Sequence, residues 1–266
     1  MAPIRLALQG ATGNMGQELL RALPREKDLE LVGLVAVEEK PDLPPGWTGT
    51  YSTSVEEVLE KARPQVFLDF SIAEATRTLY RAACPRKVPL VIGTSGLTPQ
   101  DLEEIDRLAR SAGVGAVVAP NFALGAVVMN YLARLAAPFF DHAEIVEMHH
   151  HGKVDAPSGT ALATARAMVA ARGRPFSYPV TKKENIPGTR GGELGGVAIH
   201  SMRLPGLMAH QEVVLGTAGQ TLRIRHDTLS RECYLPGILM AIRRVMELRG
   251  LVHGLEALLG LEGSKA

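Results

Sequence analysis

The stretch "IRLALQGATGNMGQELLRAL" (residues 4–23) decides the fold. Ile4 to Leu8 form a short apolar run that closes on Gly10, as a strand buried on both faces does. In "NMGQELLRAL", Met15, Leu19, Leu20 and Leu23 recur at helical spacing. Between the two lies "GATGNMG", which sets Gly10, Gly13 and Gly16 at the turn. A strand, a glycine turn and a helix bring backbone N–H groups and the positive end of the helix up to a pyrophosphate. The spacing is GxxGxxG, not GxGxxG, so a plain tight turn competes with nucleotide binding. Its position directly after the first strand favours the nucleotide.

Outward from this unit the pattern repeats. "LELVGLVAV" (29–37), "QVFLDFS" (65–71), "VPLVIGTS" (88–95) and "VGAVVAP" (114–120) read as further buried strands. Ser54 and Glu57 form a capping-box pattern that opens one helix. Thr98 as N-cap, Pro99 at the first helical position and Gly113 at the end delimit another. "KPDLPPGWTG" (40–49) reads as a surface loop. Alternating strands and helices of these lengths predict a Rossmann-type parallel sheet covered on both faces. The strand ends "DFS" (69–71), "GTS" (93–95) and "APNF" (119–122) fall where such sheets bind ligands. For the ribose hydroxyls the chain offers Glu38 and Glu39, with Lys40 beside them; two solvated loop glutamates are the competing reading.

After Asn121 the pattern changes. A long apolar helix (123–140) precedes an alternating strand, "AEIVEMHH" (143–150), and a small-residue helix (158–172). Strands follow at 195–205, 209–216 and 220–227, the last two joined by the turn "TAGQ". This grouping predicts a second, α+β domain with an open mixed sheet, whose bare face self-association would cover. The closing amphipathic helix (238–250) is expected to pack back on the first domain.

Bulk properties exclude several classes. The 266 residues are 46% hydrophobic and 21% charged, with a formal net charge of +1. So even a balance supports neither nucleic-acid binding nor a polybasic membrane surface. Two cysteines, Cys84 and Cys233, give no disulfide framework and suggest a reducing cytosol. "MAPIRLALQGATG" runs straight into a strand without a signal-peptide pattern. No apolar run approaches the roughly 20 residues that cross a bilayer. A cytoplasmic protein is expected.

"HHHGKVDAPSGTA" (149–161) carries the densest chemistry. In an extended strand His149 and His151 share a face and His150 does not. Without a nearby cysteine or an HExxH helix, a metal site is poorly supported, and none is expected. A tag is excluded by its internal position. Ser158, Gly159 and Thr160 open a helix after Pro157, where free N–H groups and hydroxyls would stabilise a carboxylate. Lys153 adds a flexible cation, and His149 or His150 suits general acid chemistry near neutral pH. The plain alternative is a capped helix with solvated histidines.

"GATGNMG", "FLDFS", "VIGTSGL", "APNFALGAVVMNYL" and above all "EIVEMHHHGKVDAPSGTAL" closely resemble, in order and spacing, the dihydrodipicolinate reductases (4-hydroxy-tetrahydrodipicolinate reductases) of lysine biosynthesis. The resemblance implies hydride reduction by NADH or NADPH of a cyclic imine bearing two carboxylates. It implies a dinucleotide-binding domain (1–122 with 233–266) and a substrate-binding, oligomerising domain (123–232) that builds a homotetramer. Carried over by motif position, His149 is the general acid/base, Lys153 the second proton donor and His150 a substrate contact. Gly159 and Thr160 grip one carboxylate, and Arg231 helps to orient the site. Gly10, Ala11, Thr12, Gly13, Asn14 and Met15, with Gly93, Thr94, Ser95, Ala119, Pro120, Asn121 and Phe122, hold the dinucleotide, and Glu38 is the candidate ribose ligand. Two positions depart from the family pattern: Ala36 and Val37 stand where an acid and an arginine are usual, and Ile72 where a second basic residue often follows "DF". Both weaken the case for tight 2′-phosphate recognition and leave the choice between NADH and NADPH open. The rival readings are another two-domain amino-acid or keto-acid dehydrogenase, which has no need of Lys153 beside a carboxylate-binding helix, and a nucleotide-sensing protein without turnover.

Overall fold

The structure is a computed structural model that describes residues 2–37, 43 and 45–261. In chain order it runs β1 (Ile4–Gln9), α1 (Asn14–Ala22), β2 (Leu29–Val35), β3 (Thr50–Ser52), α2 (Val55–Ala62), β4 (Val66–Asp69), α3 (Ala73–Ala83), β5 (Leu90–Ile92), α4 (Pro99–Ala112) and β6 (Gly115–Val118). There follow α5 (Leu124–Ala136), β7 (His142–His149), α6 (Gly159–Arg172), β8 (Gly192–Leu194), β9 (Val197–Arg203), β10 (Ala209–Thr217), β11 (Gln220–Thr228), α7 (Leu235–Val245) and β12 (Gly250–His253). The chain divides into two compact units, 1–124 with 234–266, and 125–233.

In the first unit, seven strands of the described residues form a parallel sheet in the order β12-β6-β5-β4-β1-β2-β3. The chain leaves β1 towards β2 on one side and returns to β4 on the other, so the loops after β1 and β4 part at a topological switch point. Leu6, Ala7 and Leu8 are wholly buried, as a strand with both faces covered requires. α4 begins with a reciprocal capping box between Thr98 and Asp101, has Pro99 at its first position and ends at Gly113 (φ 70°). The box expected at Ser54 and Glu57 is only half formed. Ser54 accepts from the Glu57 N–H, but the Glu57 carboxylate turns to Ser52 Oγ (2.5 Å) and Lys61 Nζ (2.6 Å) instead. The Ser54 N–H donates to Ser52 Oγ (3.0 Å) in place of Glu57. α7 lies against β5 and β6, within the first unit, and the chain then adds the edge strand β12.

In the second unit, β11-β10-β7-β9-β8 form a mixed sheet, antiparallel except for the β7–β9 pair. Ala143, Ile145, Val197, Ile199, Val213 and Leu215 face one way and pack with Ala161, Ala165 and Met168 of α6 and Ala133 of α5. Both helices of this unit contribute to that core. Cross-strand register sets the opposite face: Val146 beside His200 and Glu212, and Glu144 beside Ala198 and Val214.

Candidate active site

The glycine turn in the first unit is shaped by contacts that a side chain would destroy. Gly10 has φ 83°, and a Cβ there would stand 2.5 Å from the Phe70 carbonyl oxygen. A Cβ on Gly16 would lie 2.1 Å from the Gly10 oxygen, so this glycine lets α1 close on the loop. Gly13 is the N-cap residue and supplies no side-chain cap. The first-turn N–H groups at Asn14 and Met15 are therefore left to a ligand, and their dipole favours an anion. Ala11 is wholly buried and can offer only backbone.

This turn is pinned to the end of β4. The fully buried Asp69 carboxylate accepts from Ser71 Oγ (2.5 Å), Ser71 N (3.1 Å), Gln9 Nε2 (3.3 Å) and the Thr76 hydroxyl. Burial raises the Asp69 pKa above its ordinary value, and these hydrogen bonds only partly oppose the shift. A cavity of about 430 Å³ opens beside the turn. Gly10, Thr12 and Gly13 line it on one side, and Val37, Ser54 and Ile72 on the other. Size, glycine cradle and uncapped helix fit the adenosine and pyrophosphate of a dinucleotide. Ser71 belongs to the strand end 69–71 expected to face a ligand, whereas the segment 53–56 was missed as lining; its sequence signal was only its place after a strand. Val37 and Ile72 are 84% and 65% exposed, which suits the face of a base. Glu38, with Glu39 and Lys40, lies outside the described residues.

Gly93, Thr94, Ser95, Ala119, Pro120, Asn121 and Phe122 stand at the ends of β5 and β6 and do not line that cavity. A Cβ on Gly93 would meet the Phe70 ring at 2.2 Å, and the Phe70 and Phe122 rings pack tilted with centroids 5.6 Å apart. Thr94 Oγ1 accepts from Ser71 N (3.1 Å), and Asn121 Oδ1 accepts from Ala123 N (2.8 Å). Ser95 and Pro120 are exposed.

In the second unit, β7 ends at His149, and the chain turns with Lys153 N donating to the His150 carbonyl (3.2 Å). The face-sharing expected of His149 and His151 therefore does not occur, because the extended backbone stops short of His151. His150 and His151 are both exposed. Among the described residues no cluster of three or more His, Cys, Asp or Glu side chains is placed to hold a metal ion.

His149 is joined to a network that the sequence reading overlooked. Its Nδ1 lies 2.5 Å from Oε2 of Glu147, whose side chain is wholly buried. Arg203, at the end of β9, donates through Nη2 to Glu147 Oε1 (2.8 Å) and through Nη1 to Oε2 (3.0 Å). The same Nη2 donates to the Asp155 carbonyl (2.6 Å), and Lys153 Nζ donates to Asp155 Oδ1 (2.6 Å). Ser158 N donates to Glu147 Oε1 (3.3 Å), while its hydroxyl accepts from Ala161 N. Ser158 is thus already spent on capping and on Glu147. Gly159 N and Thr160 N have no partner among the described residues, and a Cβ on Gly159 would meet nothing within 4 Å. Open space stands before two free donors at a helix start. Arg231 is exposed and makes no hydrogen bond with described residues, so it does not join the network.

Burial holds the His149 pKa below the usual histidine range, Glu147 pulls the other way, and Lys153 and Arg203 add to the depression. Burial also opposes ionisation of Glu147, but hydrogen bonds from Arg203, Ser201 and His149 outweigh it and leave its pKa below the ordinary value. Asp155 is lowered by its bond from Lys153. At neutral pH the network therefore holds an ionised Glu147 and a neutral His149, with Lys153 Nζ at its rim, beside the unpartnered N–H groups of Gly159 and Thr160. Glu147 did carry a signal: it shares parity with Ala143 and Ile145 on the apolar face of its strand. Arg203 falls at the same parity as Val197 and Ile199, six and four residues on.

The family profile described as "Dihydrodipicolinate reductase, N-terminus" matches residues 4–122, and that described as "Dihydrodipicolinate reductase, C-terminus" matches 125–259. The chain is 49% identical over 265 residues to a 4-hydroxy-tetrahydrodipicolinate reductase of Dehalococcoides mccartyi, covering 98% of this chain and 100% of the relative. It is 46% identical over 266 residues to that of Moorella thermoacetica, covering 97% and 99%. Among solved structures, a dipicolinate-bound dihydrodipicolinate reductase from Paenisporosarcina sp. TG-14 superposes with a TM-score of 0.89 at 37% identity, covering 96% of this chain and 99% of that one. An amine dehydrogenase from Mycobacterium smegmatis, at 17% identity and a TM-score of 0.61, shares the fold alone.

The glycine turn yields a direct test. Gly10→Ala places a side chain at positive φ against the Phe70 carbonyl, and should cost at least about 1–2 kcal/mol of stability. Fluorescence titration of that variant should also find NADH and NADPH binding weakened at least about tenfold. Wild-type affinity would remove the turn from the nucleotide site.

Proposed function

The chain belongs to the dihydrodipicolinate reductase family, and from that premise we propose how its own residues carry the reaction. It is an NADH- or NADPH-dependent oxidoreductase that reduces 4-hydroxy-tetrahydrodipicolinate to tetrahydrodipicolinate, taking up hydride and a proton and releasing the 4-hydroxyl as water, a step of lysine and diaminopimelate biosynthesis. Bound NADH or NADPH supplies the hydride. Asn14 and Met15 N–H, with Gly10, Ala11, Thr12 and Gly13, would hold its pyrophosphate. Glu38 would hold the ribose. Gly93 to Ser95 and Ala119 to Phe122 would line the nicotinamide end.

The observation that carries the substrate site is the single hydrogen-bonded network joining His149, Lys153 and the start of α6 through Glu147 and Arg203. The free N–H groups of Gly159 and Thr160 would take one carboxylate of the substrate. Lys153 would exchange Asp155 for the second carboxylate or for the ring nitrogen, and His150 would add a contact at the rim. His149 is neutral in the free protein because it is partly buried near two cations. A dianion placed beside it reverses that balance and draws a proton onto the imidazole. Binding thus charges the acid that neutralises the ring once hydride has arrived.

A homotetramer in the cytoplasm completes the reading. The sheet face that bears Val146, Val214 and Met202 lies opposite the face on which α5 and α6 pack, and a second copy would cover it. No helix of the described residues is long and apolar enough to cross a membrane, and Cys84 and Cys233 are unpaired thiols.

The deciding assay generates the unstable substrate in place with the preceding synthase and follows NADH and NADPH oxidation separately. Oxidation that depends on the synthase supports the reading; none with either nucleotide contradicts it. In the same assay Lys153→Ala should lose about 100- to 10,000-fold in kcat with nucleotide affinity unchanged. Wild-type turnover would exclude Lys153 as a proton donor. Gly159→Ala should fold normally, since its Cβ points into open space, yet raise KM at least about tenfold. An unchanged KM would move the carboxylate elsewhere. Sedimentation velocity at micromolar concentration should report a tetramer, and a monomer would contradict the sheet-face assembly.

A further inference from the structure

We propose that Glu147 is a positioning residue of the reaction: it locks the His149 imidazole in the Nδ1–H tautomer and aims Nε2 at the substrate. This role rests on the function proposed above. Glu147 sits on the apolar face of β7, between Ile145 and His149, and its side chain is wholly inaccessible to solvent. A carboxylate in such a place is costly unless every oxygen is satisfied. Arg203 satisfies it with two bonds, and Ser158 N adds a third. The Arg203 guanidinium supplies the positive charge that balances it. The bond to His149 Nδ1, at 2.5 Å, is an addition that charge balance does not demand.

That addition has a definite chemical consequence. An ionised carboxylate only accepts hydrogen bonds, so Nδ1 must carry the hydrogen. Nε2 is then the one nitrogen free to gain and release a proton, and the imidazolium formed on substrate binding is held against a fixed negative charge. Glu147 also holds Ser158 N, and so ties the ring to the helix start that seats the carboxylate. The charged groups facing His149 are Glu147 from its own strand, Arg203 from β9, and Lys153 from the following loop, with Asp155 paired to that lysine. His210, on the neighbouring β10, is engaged with Asp227.

A purely structural staple would make other predictions. It would lower thermal stability, while the ionisation that governs turnover and the tautomer would stay where they are. Two measurements separate the readings. In wild-type protein labelled with ¹⁵N-histidine, with the His149 signals identified by their loss in His149→Gln, the long-range ¹H–¹⁵N spectrum should show Nδ1 protonated and Nε2 bare above the ring's pKa. In Glu147→Gln, kcat should fall at least about tenfold with KM changed far less, and the ionisation that governs kcat should move down by about one pH unit or more. Glu147→Asp, which keeps the charge, should recover part of both.

An Nε2–H tautomer in the active wild-type enzyme overturns the positioning role alone. So does a Glu147→Gln enzyme whose kcat and pH profile match wild type. If Glu147→Gln does not fold, the wild-type spectrum decides. A wild-type enzyme inert with the synthase-generated substrate overturns the functional reading, and this role with it.

Discussion

Burial of the Glu147 carboxylate is the constraint on which the second unit's chemistry depends. A negative charge without access to water has to be met by donors, and three separate pieces of chain supply them: His149 closing β7, Arg203 closing β9, Ser158 opening α6. Breaking such a buried pair by removing one partner typically costs about 3–5 kcal/mol. That penalty makes the arrangement all-or-none. Asp155 and Lys153 join it at the solvent edge, where Asp155 is about half exposed and the pair adds little to stability. A stiff buried centre with a loosely held lysine at its rim is well suited to a site that must position one proton donor and let another move.

The first unit solves a parallel problem with a different hub. Asp69 is also fully buried, but its donors are hydroxyls, an amide and a backbone N–H, with no cation among them. Its pKa is accordingly raised, whereas that of Glu147 is lowered. Asp69 gathers Gln9 and Ser71, the residues that end β1 and follow β4, and so holds the two sides of the switch point together. The glycine turn can then approach Phe70 and α1 closely enough to leave its first-turn N–H groups open. One carboxylate organises the proposed phosphate cradle and the other the proposed acid.

Much of this could be read from residue order alone. Strand-turn-helix alternation through residue 120 marked the parallel sheet, because buried strands and capped helices leave strong local signals such as Thr98-Pro99 and Gly113. Short elements escaped: β3, β8 and β12 are three or four residues long, α3 lacks a capping side chain, and the pairing of β12 with β6 is a long-range event. At the site, His149, Lys153 and Gly159 stood out because they crowd into a dozen residues. Arg203 lies 56 positions from Glu147, and only the β7–β9 register brings the two side chains together. Ser158 was read as a free donor, although its N–H is taken by a residue eleven positions earlier. Contacts within one turn were legible; contacts made by sheet register were not.

The central claim is that a partly buried neutral imidazole becomes charged when a dicarboxylate occupies the start of α6. Calorimetric titration with pyridine-2,6-dicarboxylate near pH 7.5, repeated in buffers of different ionisation enthalpy, measures that proton directly. The account predicts uptake approaching about one proton per site in the wild-type protein and almost none in His149→Gln. Binding of the diacid with no proton uptake, or with the same uptake in both proteins, would contradict it.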